Sequence, residues 1–383
     1  MRNNESRNMK GIRRLMAGCP LSIVGSLFLL VACSDEEESP GTLAPQGATR
    51  VEFRLPGTLG ATTGAGMTTK ADNLLDNGED WHELPEANPV LLPVGSTLWM
   101  SCAKKNDVGT FDTPTLQGYV VGTNSGGYNS LYTCVSEENA EGKLEIQADR
   151  MGAPLYLENG TYKFKMISPA YPIDPDEMTL RVDNGMYLYA TDGRYKETAS
   201  VKTSIEVNPE GVQYIKLPPI ISQVARFTFE IKKGNGVNTL EPLAAGIEIS
   251  GLQDPYDHSS DGVEGLAYNW CSEDIADTLV MRMGDKRAYL RIPGGELRTD
   301  EEGTIAGDIG VLPTLTMSTP VSVLVNIAVN GVPTQYMTLV NEPMLLHARS
   351  YNLRWEIRME DGRVSVVTWQ NQSWVTDLEE KTR

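Results

Sequence analysis

Residues 223–231, QVARFTFEI, set apolar side chains at every second position, and the same period of two recurs through most of the chain. Apolar residues at alternate positions can line one buried face only on a strand; a helix would scatter them around its circumference. Val51-Glu52-Phe53-Arg54-Leu55 does the same and stops at Pro56-Gly57. Residues 57–89, rich in Gly, Thr, Asn and Asp, read as a long loop. Val90 to Cys102 reads as a strand pair broken by Pro93 and Gly95. Further strands are predicted at 117–121, 131–135, 143–147, 179–182, 186–190, 199–207 and 212–217. Leu155 to Met166 predicts a hairpin, because Asn159-Gly160 can supply the positive φ of a tight turn between alternating segments. After Pro218-Pro219 a second series follows at 246–250, 278–282, 288–292, 321–329, 334–339, 350–357 and 363–369. Short strands at regular spacing predict an all-β chain of antiparallel sandwiches. A chain of 383 residues has room for two in tandem, expected at 48–217 and 218–383.

The N-terminus reads as a lipoprotein signal peptide over residues 1–32. Arg2, Arg7, Lys10, Arg13 and Arg14 form a basic stretch, and Leu15 to Leu30 is mostly apolar but interrupted by Gly18, Pro20 and Gly25. That run is too short to span a bilayer. Leu30-Val31-Ala32-Cys33 fits a lipobox, in which the Cys33 thiol takes a diacylglycerol and becomes the mature N-terminus. An ordinary signal peptide with an incidental cysteine fits the flanks less well. Residues 33–47, opening with Ser34-Asp35-Glu36-Glu37-Glu38, form an acidic tether that would stay extended. The expected product is anchored to a membrane by lipid, not threaded through it.

Composition narrows the partners. A formal net charge of −18 argues against nucleic acid and against an anionic lipid surface, both of which call for basic patches. Beyond Cys19 and Cys33, Cys102, Cys134 and Cys271 remain. A Cys102–Cys134 disulfide suits an oxidising envelope, and small buried thiols suit the pattern equally. His82, His258 and His347 stand apart, and no HExxH, CxxC, GxSxG or P-loop occurs. Asp257 to Gly262 begins like a calcium loop, but position twelve is Tyr268 instead of glutamate. Asp254, Asp257, Asp261 and Glu264 could form a looser site, against the plainer reading of a solvated turn. The carboxylates are too numerous to single out a catalytic pair. Asp277-Thr278-Leu279 matches a three-residue O-glycosylation sequon, a length that recurs by chance. No enzyme, no cofactor and no metal is expected.

Several segments together resemble the fimbrillin family of Bacteroidetes. They are the lipobox at Cys33, the strand 51–55 followed by Thr69-Lys70-Ala71 and Trp81, and Gly160 to Phe164 running into Ser168-Pro169-Ala170. Val224 to Phe229 opens the second half, and Ser350-Tyr351-Asn352-Leu353 precedes a tail bearing Trp369 and Trp374. The resemblance implies two transthyretin-like sandwiches, export to the outer membrane surface as a lipoprotein, and assembly into a fimbria that serves adhesion. In shaft subunits of that family a protease cuts after the first strand, and an extended strand of the next subunit fills the vacated groove. Mapped here, the displaced strand carries Val51, Phe53 and Leu55. The cut falls at Lys70-Ala71, where shaft proteins usually carry arginine, with Arg50 and Arg54 as alternatives. The donor comes from Arg363 to Val375, with Val364, Val366, Thr368 and Trp369. The implied partners are other fimbrial subunits, head to tail, and a host or bacterial surface ligand. The alternative is a non-polymerising glycan-binding or pilus-anchor lipoprotein, with Trp81, Trp99, Trp270, Trp369 and Trp374 as the pool of sugar-stacking aromatics.

Overall fold

The computed structural model describes residues 45–55, 90–124, 129–193, 197–202, 207, 211–253, 266–269, 287–314, 320–340, 342 and 344–375. The chain is nearly all β. The strands of the first half are β1 (Ala48–Arg54), β2 (Thr97–Lys104), β3 (Thr115–Thr123), β4 (Asn129–Glu138), β5 (Leu144–Met151), β6 (Tyr156–Glu158), β7 (Gly160–Ser168), β8 (Thr179–Val182), β9 (Tyr189–Thr191), β10 (Thr198–Val201), β11 (Val212–Lys216) and β12 (Ile220–Ser222). Those of the second are β13 (Ala225–Lys233), β14 (Leu240–Gln253), β15 (Leu266–Asn269), β16 (Arg287–Ile292), β17 (Arg298–Thr299), β18 (Ile305–Val311), β19 (Val321–Val329), β20 (Val332–Val340), β21 (Arg349–Glu360) and β22 (Arg363–Trp374).

In the first half a three-stranded sheet, β11-β1-β6, packs on a larger one ordered β12-β9-β7-β2-β3-β4-β5. Their shared core joins Val51, Phe53 and Leu55 to Leu98, Met100, Tyr119, Phe164 and Met166. In the second half β17-β18-β13-β21-β22 faces β16-β14-β19-β20 across Phe227, Phe229, Ile231, Val323, Val325, Leu353 and Trp355. Each half treats its first strand alike. β1 lies between antiparallel β6 and parallel β11, and β13 between antiparallel β18 and parallel β21. Sheet membership changes between Ser222 and Ala225, a few residues beyond Pro218-Pro219.

The halves are stitched together within one compact unit that runs from Ala44 to Arg383. β8 of the first half pairs with β15 of the second. A third apolar cluster combines Trp99, Ile167, Leu180 and Leu188 with Val224 and Leu312. The Gly185 amide donates to the Gly310 carbonyl at 2.8 Å, and the Leu312 amide to Asn184 Oδ1 at 2.9 Å. Tyr187 donates its hydroxyl hydrogen to Asp308.

Two sequence expectations need correction. Leu155 to Met166 is not a hairpin: β6 pairs with β1 and β7 with β2, so the chain crosses from one sheet to the other at Asn159-Gly160. The two-residue hairpins stand elsewhere, at Asn330-Gly331 and Asp361-Gly362, where all four residues have φ between 50° and 78°. Val90 to Cys102 holds one long strand, β2, instead of two. Cys102 and Cys134 are free and buried. Burial pushes the Cys102 thiol up to about 12, so it stays protonated and unreactive at neutral pH.

Candidate functional site

β1 is the central strand of its sheet and the first among the described residues. Its register runs from Arg50↔Val212 to Arg54↔Lys216 on one side and from Ala48↔Glu158 to Arg50↔Tyr156 on the other. Beyond those ladders, the Val51 amide donates to the Leu155 carbonyl at 2.9 Å, and the Leu217 amide to the Arg54 carbonyl at 3.1 Å. Thr49, also buried, sends its hydroxyl to the Lys202 carbonyl at 2.6 Å. The alternation of residues 48–55 explains the placement. Val51, Phe53 and Leu55 turn into the core, and Phe53 meets Phe164 and Tyr119 edge-on at 5.1 and 5.9 Å between ring centroids. Arg50, Glu52 and Arg54 turn outward: Arg50 pairs with Glu52 at 2.7 Å, and Arg54 lies 4.0 Å over the Tyr214 ring. Each buried apolar side chain contributes about 1.5–3 kcal/mol. Removing β1 would leave β6 and β11 facing an apolar slot lined by unpaired amides and carbonyls. Only another extended strand satisfies both the row of backbone groups and the pockets of Val51, Phe53 and Leu55.

The second strand of interest, β22, sits at a sheet edge and forms a hairpin with β21 in twelve register pairs from Arg349↔Trp374 to Glu360↔Arg363. Val366 packs against the second-half core, Val364 and Trp369 are exposed, and Thr368 is exposed too, on the same face of the strand as Val366. Gln370 Nε2 donates to the Leu339 carbonyl at 2.7 Å and ties β22 to the edge strand of the facing sheet. The next residue after the strand crosses to the other half. Val375 is 1% exposed within the core that holds Val51 and Phe53, and its amide donates to the Ala348 carbonyl at 2.9 Å. In the sequence Val375 only closes the candidate donor stretch; a lone valine beyond a strand carries no periodicity that would assign it to the core of the other half. Val375→Asp is expected to destabilise the protein by about 2 kcal/mol or more at neutral pH, because it loses the burial of one valine and sets a carboxylate among apolar side chains. Urea unfolding of the variant measures this, and an unchanged midpoint would mean that Val375 anchors nothing.

Cys33, Lys70, Ala71 and Thr278 lie outside the described residues, as do Trp81, Trp270, Cys271 and the carboxylates at 254, 257, 261 and 264. Arg50 lies in β1 with its side chain about half exposed but its backbone paired on both sides. Trp99 is core, fully buried, with Nε1 donating to the Tyr171 carbonyl at 2.9 Å. Near it in the large sheet is a buried ion pair, Lys165 Nζ to Glu197 Oε2 at 4.0 Å. Burial raises the Glu197 carboxyl above its usual range, while Lys165 and the Thr191 hydroxyl act in the opposite sense. Among the described residues no three His, Cys, Asp or Glu gather as a metal site would need.

The sequence pattern of the fimbrillin-like family matches residues 48–378. A solved candidate cell adhesion protein from Bacteroides fragilis is 30% identical, with a TM-score of 0.62 over 87% of this chain and 100% of its own. A second such protein from Bacteroides uniformis is 12% identical over 85% of this chain and 98% of its own, with a TM-score of 0.47. The tip fimbrial protein Mfa3 from Porphyromonas gingivalis aligns at 11% identity over 72% of this chain and 93% of its own, with a TM-score of 0.33. Among curated proteins none matches. With a central, core-filling first strand at the start of a family match that runs through nearly all of the described chain, this protein belongs to the fimbrillin-like family.

Proposed function

We propose that this protein is a non-enzymatic structural or accessory subunit of a cell-surface fimbria, joined to a neighbouring subunit by strand exchange at the β1 slot and contributing to adhesion. The observation that carries the reading is the seat of β1, a central strand paired on both edges and buried on one face. The chain is divided as signal peptide 1–32, acidic tether 33–47 and sandwich domains 48–217 and 218–383. It travels to the bacterial outer membrane surface on lipid at Cys33. A protease then cuts at Lys70-Ala71, within the long segment between β1 and β2. Arg50 is the weaker site, because a protease must bind its substrate extended and the Arg50 backbone is already committed to β6 and β11. Cleavage converts β1 from a tethered strand into a displaceable one. An incoming strand then replaces it, head to tail, which builds an open filament.

The donor role of Arg363 to Val375 requires β22 to leave β21 and Val375 to leave the first-half core. That cost favours an accessory or tip position, where a subunit accepts a strand without giving one. The same cis pairing supports a second reading, a non-polymerising glycan-binding or anchor lipoprotein that keeps its lipid. Mass spectrometry of the N-terminus of protein recovered from the cell surface separates them. A terminus at Ala71 is expected for a strand-accepting subunit. Lipidated Cys33 on the fibre-associated form would overturn that reading in favour of the anchor.

A further inference from the structure

On β13 and β21 the core takes Phe227, Phe229, Ile231, Leu353, Trp355 and Ile357, so the intervening residues face outward. Side by side across that outer face stand Glu230, Arg354 and Trp369, in direct register from β13 to β21 to β22. Neighbouring positions carry Thr228, Asn352 and Asn371. Trp369 is 47% exposed, in contrast to Trp99 and Trp355, which are core. An indole that size left open on a sheet face forgoes the burial a tryptophan ordinarily contributes.

Its surroundings are held in place. Glu230 forms two ion pairs, Oε2 with Arg354 Nε at 2.8 Å and Oε1 with Lys232 Nζ at 2.6 Å. Thr228 Oγ1 donates to Asn352 Oδ1 at 2.7 Å, and Asn352 Nδ2 to Ser373 Oγ at 3.1 Å. Glu230 therefore holds the Arg354 guanidinium at its Nε side, and the Arg354 side chain is 57% exposed. A guanidinium fixed at Nε presents its outer edge as a planar fork, a shape that matches a carboxylate. The local charge also departs from that of the whole. The outer face of β13 and β21 carries Arg226, Lys232, Arg354 and Arg358 against Glu230, Glu356 and Glu360, in a chain of formal charge −18.

We propose that this face, at Trp369 and Arg354, binds an acidic glycan. The apolar face of a carboxylated sugar ring stacks on the Trp369 indole, its carboxylate sits on the exposed Arg354 guanidinium, and hydroxyl groups meet Asn371 and Asn352. A protein partner fits less well, because stable protein interfaces are centred on a contiguous, desolvated apolar patch. Here one aromatic stands amid oriented polar groups. The site exists only while β22 stays paired with β21, and it does not depend on whether β1 is exchanged.

Native affinity electrophoresis of the unassembled full chain provides the test, with polygalacturonate, polysialic acid and neutral dextran as the gel-borne probes. The two acidic polymers separate uronic from sialic sources of the same chemistry. Retardation by at least one acidic polymer and none by dextran is expected. Trp369→Ala and Arg354→Gln should each weaken the retarding affinity about tenfold or more. Met337→Ala, on the exposed surface of the facing sheet, should leave it unchanged. A polyanion repels so acidic a protein, so retardation that depends on Trp369 cannot come from bulk charge. No retardation by either acidic polymer, equal retardation by dextran, or retardation that survives Trp369→Ala would each overturn the proposal. Since the assay uses unassembled protein, its outcome is read separately from the N-terminus that tests assembly.

Discussion

Phe53→Ala is expected to destabilise the protein by about 3–5 kcal/mol, the usual cost of emptying a buried phenylalanine site. The ring lies in the middle of the first-half core, 4% exposed, edge-on to both Phe164 and Tyr119. Those contacts come from β7 and β3 of the facing sheet, so the two sheets lose a shared anchor and the cavity cannot close by a local shift. Urea unfolding monitored by tryptophan emission measures the loss. The same substitution loosens β1 in its slot, so β1 should also leave faster after cleavage between β1 and β2, an effect that a defect elsewhere in the core would not produce. A loss under 1 kcal/mol would mean that Phe53 is not seated as described, and the strand-exchange reading would lose its main support.

Gly310→Ala is the second large effect. A β-carbon at Gly310 would fall 2.1 Å from the Met186 carbonyl oxygen and 2.9 Å from its carbon, so backbone must move. The clash lies at the junction of the halves, beside the Gly185–Gly310 and Asn184–Leu312 hydrogen bonds. Overpacking of this kind costs about 1–3 kcal/mol, and more where the obstructing atom is backbone. The expected signature is loss of cooperativity: one calorimetric transition divides into two as the halves uncouple, and proteolysis near residues 183–188 accelerates. A single transition at the parent temperature would show that the junction has slack to absorb a methyl group.

Gly310 also explains where the sequence was hard to read. β18 was not expected, because Gly307 and Gly310 interrupt its alternation and glycine ordinarily weakens a strand. Both glycines make room for another segment: Leu297 Cδ2 stands 2.6 Å from a β-carbon at Gly307, and the Met186 backbone, far away in sequence, fills the space at Gly310. A local pattern carries no trace of that neighbour. The Asn-Gly and Asp-Gly pairs make a similar point. Asn330-Gly331 and Asp361-Gly362 turn between long strands that pair with each other, whereas Asn159-Gly160 follows a three-residue strand already committed to β1. The dipeptide permits the turn, and the competition for partners decides it. β1 and its buried triad were legible, because strict alternation fixes both the strand and its inward face. The setting of β1 between one parallel and one antiparallel neighbour was not, because pairing across more than a hundred residues leaves no periodic signal.

The setting of β1 bears on how a fibre would carry load. A strand held along both edges and pulled lengthwise is sheared: the bonds to Val212–Lys216 and to Tyr156–Glu158 share the tension and must fail together. β22, held along one edge by a hairpin, can instead be peeled one bond at a time from its C-terminal end once Val375 has left its core site. The same sheet hydrogen bond is therefore mechanically strong in the β1 slot and weak at β22, and a filament linked through the slot would resist flow that strips an edge strand away.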